Sequence, residues 1–210
     1  MINKKKKLVL FMPFIGLGGV EKNLFIIANY LSKKFNNVNL CTISTKFKSK
    51  FDKKISFIVP KKKWSEKLNI RIKYFICLYV LYKYLSKNKN TVVLSFQANI
   101  YCIILCKLLN VKVIIRNNSS PFGWDHNFLK KNIYKFFVTK ADAVIVNSLL
   151  FKNQMDKRFK IKTKCIFNPL NKEEILSLSK KNISEPFFKT KKSILKIINL
   201  GRLTDQKDHI

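Results

Sequence analysis

The 210-residue sequence predicts an α/β fold in which a parallel sheet is covered by helices, and three observations carry that prediction. Short apolar runs alternate with longer stretches of helical periodicity, as successive β-α-β units require. Some of the runs, such as VIV at 144–146, are apolar without alternation, which suits strands buried on both faces. Hydrophobic residues make up 47% of the chain, far more than a disordered basic tail contains, so a sizeable core is expected.

Strands are expected at 7–12 (KLVLFM), 38–44 (VNLCTIS), 55–59 (ISFIV), 91–95 (TVVLS), 111–115 (VKVII), 143–146 (AVIV) and 164–167 (KCIF). Helical patterns fall between them near 20–34, 67–87, 98–109, 127–139 and 148–157. This succession describes a Rossmann-like α/β domain with helices on both faces of the sheet. Composition shifts after residue 168, where Asn168-Pro169 stops the last strand because the residue before proline is pushed out of the helical region. NKEEILSLSKKN then reads as a short helix and NISEPFFKTKKS as a linker, followed by a new strand at 194–200. The expected division is a domain over 1–178, a linker over 179–192 and the opening of a second domain over 193–210. A single strand with an incipient helix cannot form a core of its own.

Charge narrows the partners. Lys and Arg number 43 against 11 Asp and Glu, a net charge of +32. Only four of these cations are arginines: Arg71, Arg116, Arg158 and Arg202. Selection for phosphate recognition would favour Arg, whose planar fork binds phosphate oxygens bidentately. A lysine-rich solvated face is therefore the simplest reading, with an anionic membrane surface ahead of nucleic acid as a partner. Nucleic-acid binding would interleave exposed aromatics with Arg, whereas the 18 phenylalanines sit mainly in strand and helix runs. The helix near 67–87, flanked by Lys67, Lys73, Lys83 and Lys87, is read first as packing on the sheet and second as touching such a membrane.

Cys41, Cys77, Cys102, Cys106 and Cys165 show no paired metal spacing, and their odd number in apolar surroundings argues for free thiols in a reducing cytoplasm. Cys102 and Cys106 share a helix face and are expected in the core. The longest apolar run, YFICLYVLY at 74–82, is nine residues, where a membrane span needs about 20. KKKK before LVLFMPFI leads into GLGG instead of a small-residue cleavage site, so no secretory signal is expected.

Two constellations carry chemistry. The first strand runs into PFIGLGGVEKNLFIIANYL, where Gly16, Gly18 and Gly19 allow a tight turn and the following helix offers unpaired N–H groups to an anion such as phosphate. The spacing is not GxGxxG, so a dinucleotide is not specifically indicated, and glycines serving only a turn remain the plain alternative. Glu21 is explained by the positive end of that helix and is not made a catalytic acid. The second constellation is Arg202 and Lys207 in NLGRLTDQKDHI, two cations just past a strand end that can converge on a diphosphate. Arg202 directly follows a strand-ending glycine, where ligand sites of open α/β sheets gather.

These segments carry a resemblance. GLGGVEKNLFIIANYL is similar to the GG-x-E loop and helix of retaining glycosyltransferases of family 4, which have the GT-B fold. ADAVIVNSLLFKNQM and KCIFNPLN resemble that family's strand ending in a serine before a helix and its I-x-NP turn. INLGRLTDQKDH resembles the GRL-x-x-x-K signature that opens its second domain. All occur in the family's order and together span nearly the whole chain.

The resemblance implies that Gly18 and Gly19 lie against the donor diphosphate and that Arg202 and Lys207 bind it from the second domain. It places the acceptor on the first domain, near Ser95, Gln97, Asn99, Arg116 and Asn117, for which ordinary loop hydrogen bonding is the alternative. His126, beside Asp125, is a weak candidate for proton transfer to or from an acceptor hydroxyl, the alternative being an exposed loop residue or helix cap. The substrate implied is a UDP- or GDP-linked nucleotide-sugar, its sugar passing to a glycan or lipid-linked acceptor, with no cofactor and no metal because Arg and Lys neutralise the diphosphate. The expected location is the cytoplasm, at the inner face of the membrane. The family's E-x7-E segment is missing from this sequence, so the chain is expected to be an acceptor-binding domain cut early in the nucleotide-sugar domain and inactive by itself. The competing class is a non-catalytic basic module for anionic membrane or nucleic acid.

Overall fold

In the computed structural model the described residues are 6–61, 67–118 and 128–182, with the single positions 185, 195 and 197. The chain divides into two compact units, Met1–Leu170 and Asn171–Ile210. The first contains the sheet. Its strands are β1 (Lys7–Phe11), β2 (Val38–Cys41), β3 (Ser56–Ile58), β4 (Thr91–Ser95), β5 (Lys112–Asn117), β6 (Ala143–Val146) and β7 (Lys164–Cys165). All neighbours are parallel, in the order β3-β2-β1-β4-β5-β6-β7. Each strand lies where the sequence predicts one, and the α/β Rossmann-like reading is correct. β7 ends two residues early: Ile166 N–H still reaches the Val146 carbonyl at 2.9 Å, but Pro169 follows and the ladder stops.

Five helices belong to the same unit: α1 (Gly19–Lys34), α2 (Ile70–Lys87), α3 (Asn99–Leu108), α4 (Phe128–Val138) and α5 (Leu149–Phe159). Strand side chains alternate between two cores, as the pleat demands. Val9, Phe11, Val93, Val113, Ile115, Val144 and Val146 face Cys77, Leu81 and Leu85 of α2, Cys102, Ile103 and Cys106 of α3, Val138 of α4, and Met155 and Phe159 of α5. Leu8, Leu10, Leu40 and Leu94 face the opposite way, toward Leu24 and Ala28 of α1, with Phe51 and Ile55 beside them. Among the described residues of this unit, four helices pack on one face of the sheet and one on the other.

α2 packs through one side only. Cys77, Leu81 and Leu85 are buried, whereas Ile72, Phe75, Tyr79 and Tyr82 form an exposed stripe at helical spacing, 45 to 61% accessible. Arg71, Lys83 and Lys87 are exposed on the same helix, and Lys83 Nζ sits 4.4 Å from the centre of the Tyr79 ring. Among the described residues no helix is long and apolar enough to cross a membrane.

In the second unit α6 (Lys172–Ser179) starts with a reciprocal cap: Asn171 Oδ1 accepts from the Glu174 N–H at 3.2 Å, and Asn171 Nδ2 donates to Glu174 Oε2 at 3.1 Å. Most of the expected linker and the expected strand at 194–200 lie outside the described residues.

Candidate functional site

In an open parallel sheet, ligands gather at the carboxyl ends of the strands where the strand order reverses. Here β1 lies between β2 and β4, so the reversal falls between β1 and β4. Both of the sheet's glycine-loop and polar-loop segments leave from that point. Gln97, in the loop after β4, accepts a hydrogen bond from the Phe14 N–H at 3.2 Å through Oε1 and so ties the two loops together across it.

The glycine loop is shaped differently from expectation. None of Gly16, Gly18 and Gly19 adopts a positive φ, and Gly18 is extended at φ −92°, ψ −178°. A tight left-handed turn is therefore not what the glycines supply. A Cβ on Gly18 would meet only the far end of the flexible Glu21 side chain, Oε2 at 2.6 Å, and a Cβ on Gly19 would meet nothing within 4 Å. Glu21 folds back on the loop, where its Oε1 accepts from the Gly16 N–H at 3.3 Å. A carboxylate already sits at the mouth of the predicted anion loop, drawn by the N–H groups and the positive end of α1.

Among the described helix starts, those at this region differ from the others. α2 and α5 are capped by side chains: Asn69 accepts from the Arg71 N–H and Ser148 from the Phe151 N–H, each at 3.1 Å. α1 begins after Gly18 and α3 after Ala98, and neither receives a side-chain cap. These are the helices that follow β1 and β4, so N–H groups of both first turns are left uncapped beside the strand-order reversal.

Ser95, Asn99 and Asn117 converge behind it. Ser95 is fully buried, and its Oγ lies 2.8 Å from Asn99 Oδ1 and 2.9 Å from the Gln97 carbonyl, its single proton facing two acceptors. Asn99 Nδ2 donates to the Arg116 carbonyl at 3.2 Å and to Asn117 Oδ1 at 3.1 Å. Asn117 Nδ2 in turn lies 2.6 Å from the Tyr134 hydroxyl, joining α4 to the chain. Burial pushes the Tyr134 phenol up in pKa, with the Asn117 contact pulling the other way, so it stays a neutral hydroxyl. The polar groups spend their hydrogen bonds on each other and fix β4, α3, β5 and α4 in one register. Ala98 is part of that arrangement: φ 53°, ψ 37° puts an alanine in the left-handed region, which aims Asn99 back at Ser95.

Arg116 departs from the group. One residue before Asn117 on β5, its side chain must point to the opposite face of the sheet. There it is only 2% exposed, and its guanidinium donates through Nη2 to the Ile166 carbonyl at 3.1 Å and to Asn168 Oδ1 at 3.0 Å. Only its backbone carbonyl belongs to the Ser95-Asn99-Asn117 chain. Asn168 and Tyr134 are partners that residue type alone did not single out. The signal for Asn168 was its place before Pro169 at the end of the last strand run, and its amide oxygen meets Arg116 of β5.

His126, Arg202 and Lys207 lie outside the described residues. Three thiols are chemically quiet, since burial pushes Cys41 and Cys102 well up and Cys77 to about 12; Cys106 is buried as well and Cys165 half-buried. Among the described residues no cluster of His, Cys, Asp and Glu could hold a metal.

No family model matches the sequence, and no curated protein matches it either. Solved structures do match in fold. HepE (Alr3699) of Anabaena in complex with UDP superposes with a TM-score of 0.56 at 11% identity, over 82% of this chain and 48% of that one. UGT73P12 of Glycyrrhiza uralensis, complexed with glycyrrhetinic acid 3-O-monoglucuronide, gives 0.55 at 11% identity over 77% and 49%. UGT2 of Phytolacca americana, complexed with UDP-2fluoro-glucose and pterostilbene, gives 0.53 at 11% identity over 84% and 57%. The fold is the Rossmann-like α/β fold of GT-B glycosyltransferases. At 11% identity the likeness is one of fold, and this chain spans about half the length of each of these structures.

Proposed function

We propose that the chain forms the acceptor-side domain of a retaining, family 4-type glycosyltransferase, in which a sugar passes from a UDP- or GDP-linked donor to a glycan or lipid-linked acceptor. The observation that supports it most is the meeting, at one strand-order reversal, of the glycine loop and two uncapped helix starts. N–H groups fixed there by the fold stabilise a diphosphate as it gains charge on leaving, and they need no reorganisation to do so. The open space over Gly19 admits the phosphate, and Glu21 has to yield the Gly16 N–H to it. Arg202 and Lys207 neutralise the diphosphate from the second domain, without a metal. The Ser95-Asn99-Asn117 chain acts as a positioning floor, and His126 is the candidate for handling the acceptor proton.

Titration of the isotopically labelled chain with UDP-glucose and with GDP-mannose, followed by amide NMR, tests this. The amides of Gly16, Gly18 and Gly19 should move most, and Glu21→Gln, which removes the competing charge, should tighten binding two- to tenfold. Shifts confined to residues far from β1 and β4 would defeat the reading.

The acceptor side of this reading includes an anionic membrane at the cytoplasmic face. The stripe Ile72, Phe75, Tyr79 and Tyr82, flanked by Arg71, Lys83 and Lys87, has the composition of a helix that lies in a lipid interface. A net charge of +32 adds attraction to anionic headgroups.

A further inference from the structure

We infer that the diphosphate proposed to lie at the glycine loop is also gripped by two side chains of the first unit that meet at Phe14: the Gln97 amide, donating through Nε2, and the Lys73 ammonium of α2. The inference rests on the proposed donor site, and it moves Gln97 there from the acceptor side.

The orientation of Gln97 follows from its partner. A backbone N–H can only donate, so the group that Phe14 N–H meets at 3.2 Å has to be the amide oxygen. Nε2, the other arm of the amide, bonds to no protein group and is not sealed from solvent. Two N–H donors therefore stand open at the strand-order reversal, in the loop tied to the one that leads into α1. Donors without an acceptor of their own select a ligand that brings oxygens.

Lys73 decides which oxygens. It closes the first turn of α2 after the Asn69 cap, and its Nζ rests 5.0 Å from the centre of the Phe14 ring. That ring lies against the glycine loop, since a Cβ on Gly16 would stand 3.4 Å from Phe14 Cε1. Among the described residues Lys73 forms no ion pair, so its charge at the loop is not already neutralised. The next residue, Tyr74, feels the loop as well: burial raises its phenol, and the Glu21 carboxylate raises it further. The start of α2 thus lies close to the start of α1. When a diphosphate takes the Gly16 N–H from Glu21, a free cation and an amide with open donors are already beside it. Neutral sugar hydroxyls would use the amide alone, whereas phosphate oxygens use both, through charge-assisted hydrogen bonds.

Amide NMR titration of the full chain with inorganic pyrophosphate, UDP-glucose and glucose tests this, read at the Gly16, Gly18 and Gly19 amides and at the Gln97 side-chain amide pair. The Gln97 pair should move with pyrophosphate and UDP-glucose and stay still with glucose. Gln97→Glu keeps an oxygen for the Phe14 N–H but exchanges the two donors for a negative oxygen, and should weaken pyrophosphate binding at least tenfold. Lys73→Gln should weaken it at least threefold. Lys83→Gln removes the same charge from the same helix, over the Tyr79 ring, and should leave it within twofold. Should Gln97→Glu fail to fold, the wild-type Gln97 resonances and the Lys73–Lys83 comparison decide. Moving glycine amides with a motionless Gln97 pair would overturn the inference and leave the donor reading intact. Equal losses in the two lysine variants would overturn it as well, since only overall charge would then be at work, and so would a Gln97 pair that answers to glucose. Motionless glycine amides would defeat the donor reading itself, and this inference with it.

Discussion

On one face of the sheet, α2 to α5 press Leu81, Cys102, Ile103 and Met155 against Val9, Val93 and Val113 with essentially no accessible surface left. On the other, α1 covers β1 and β2, and the stretch from Leu94 to Ile145 meets a cavity with a buried arginine at its edge. The two faces are made from the same strands, residue by residue in alternation. Among the described residues of the first unit the difference lies in the helices: α2 to α5 close one face, and α1 alone packs on the other. The polar chain from Ser95 to Tyr134 sits at the carboxyl end of the closed face, where tight packing holds its geometry.

The largest expected effect tests that division with one substitution made on each side. Leu81→Ala, in the closed core, should cost about 3–4 kcal/mol, because the void left there is surrounded by packed side chains and cannot collapse. Leu31→Ala, on α1 beside the cavity and half-buried, should cost about 1–2 kcal/mol, since much of that side chain already borders open space. Urea denaturation of both variants, compared by midpoint at equal m-value, measures the gap. Equal losses would show that the α1 face is packed as tightly as the other.

The closed face also has an outer side. Replacing Phe75 and Tyr79 together by serine removes two exposed rings from α2 without touching Cys77, Leu81 or Leu85. Stability should change by less than about 1 kcal/mol, while recovery with vesicles containing phosphatidylglycerol should fall at least tenfold. Neutral vesicles should recover neither protein. Equal recovery of wild type on neutral and anionic vesicles would remove the membrane from the proposed function, and the stripe would then be ordinary exposed surface.

How far the sequence could foresee this follows from the kind of force involved. Seven strands and six helices were legible because burial writes itself as apolar runs and helical periodicity. VIV at 144–146 could not be polar and still fill the middle of a parallel sheet. Which face each residue serves was out of reach, since that depends on the order in which strands pair. Arg116 illustrates the loss. It sits next to Asn117 in the chain, and the two look like neighbours in one loop, yet the pleat sends them to opposite faces with different partners. The glycine loop was found by composition, but the approach of the Glu21 carboxylate to Gly16 and Gly18 was not, because it depends on how that side chain folds back. α2 read as a helix to be buried, and only its packing showed that five of its thirteen apolar residues are exposed.

The smallest expected effect concerns Ala98, at the joint between β4 and α3. A left-handed conformation costs an L-residue with a Cβ about 1–2 kcal/mol, and glycine escapes that cost. Glycine also brings more conformational freedom to the unfolded chain, which offsets about 0.5–1 kcal/mol of the gain. The Ala98 methyl is partly buried against the closed core, so its removal forfeits a further fraction of a kilocalorie. The sum for Ala98→Gly is a stabilisation of under about 1 kcal/mol. A substitution that stabilises a protein while loosening its site is the signature of strain held for a purpose. Denaturant midpoints should therefore rise slightly in A98G, while the Asn99 and Asn117 side-chain amide resonances broaden as the Ser95-Asn99 contact loses its fixed approach. A fall in stability beyond about 1 kcal/mol would mean that the methyl's packing outweighs the backbone strain, and the polar chain would then be rigid because of the closed core alone.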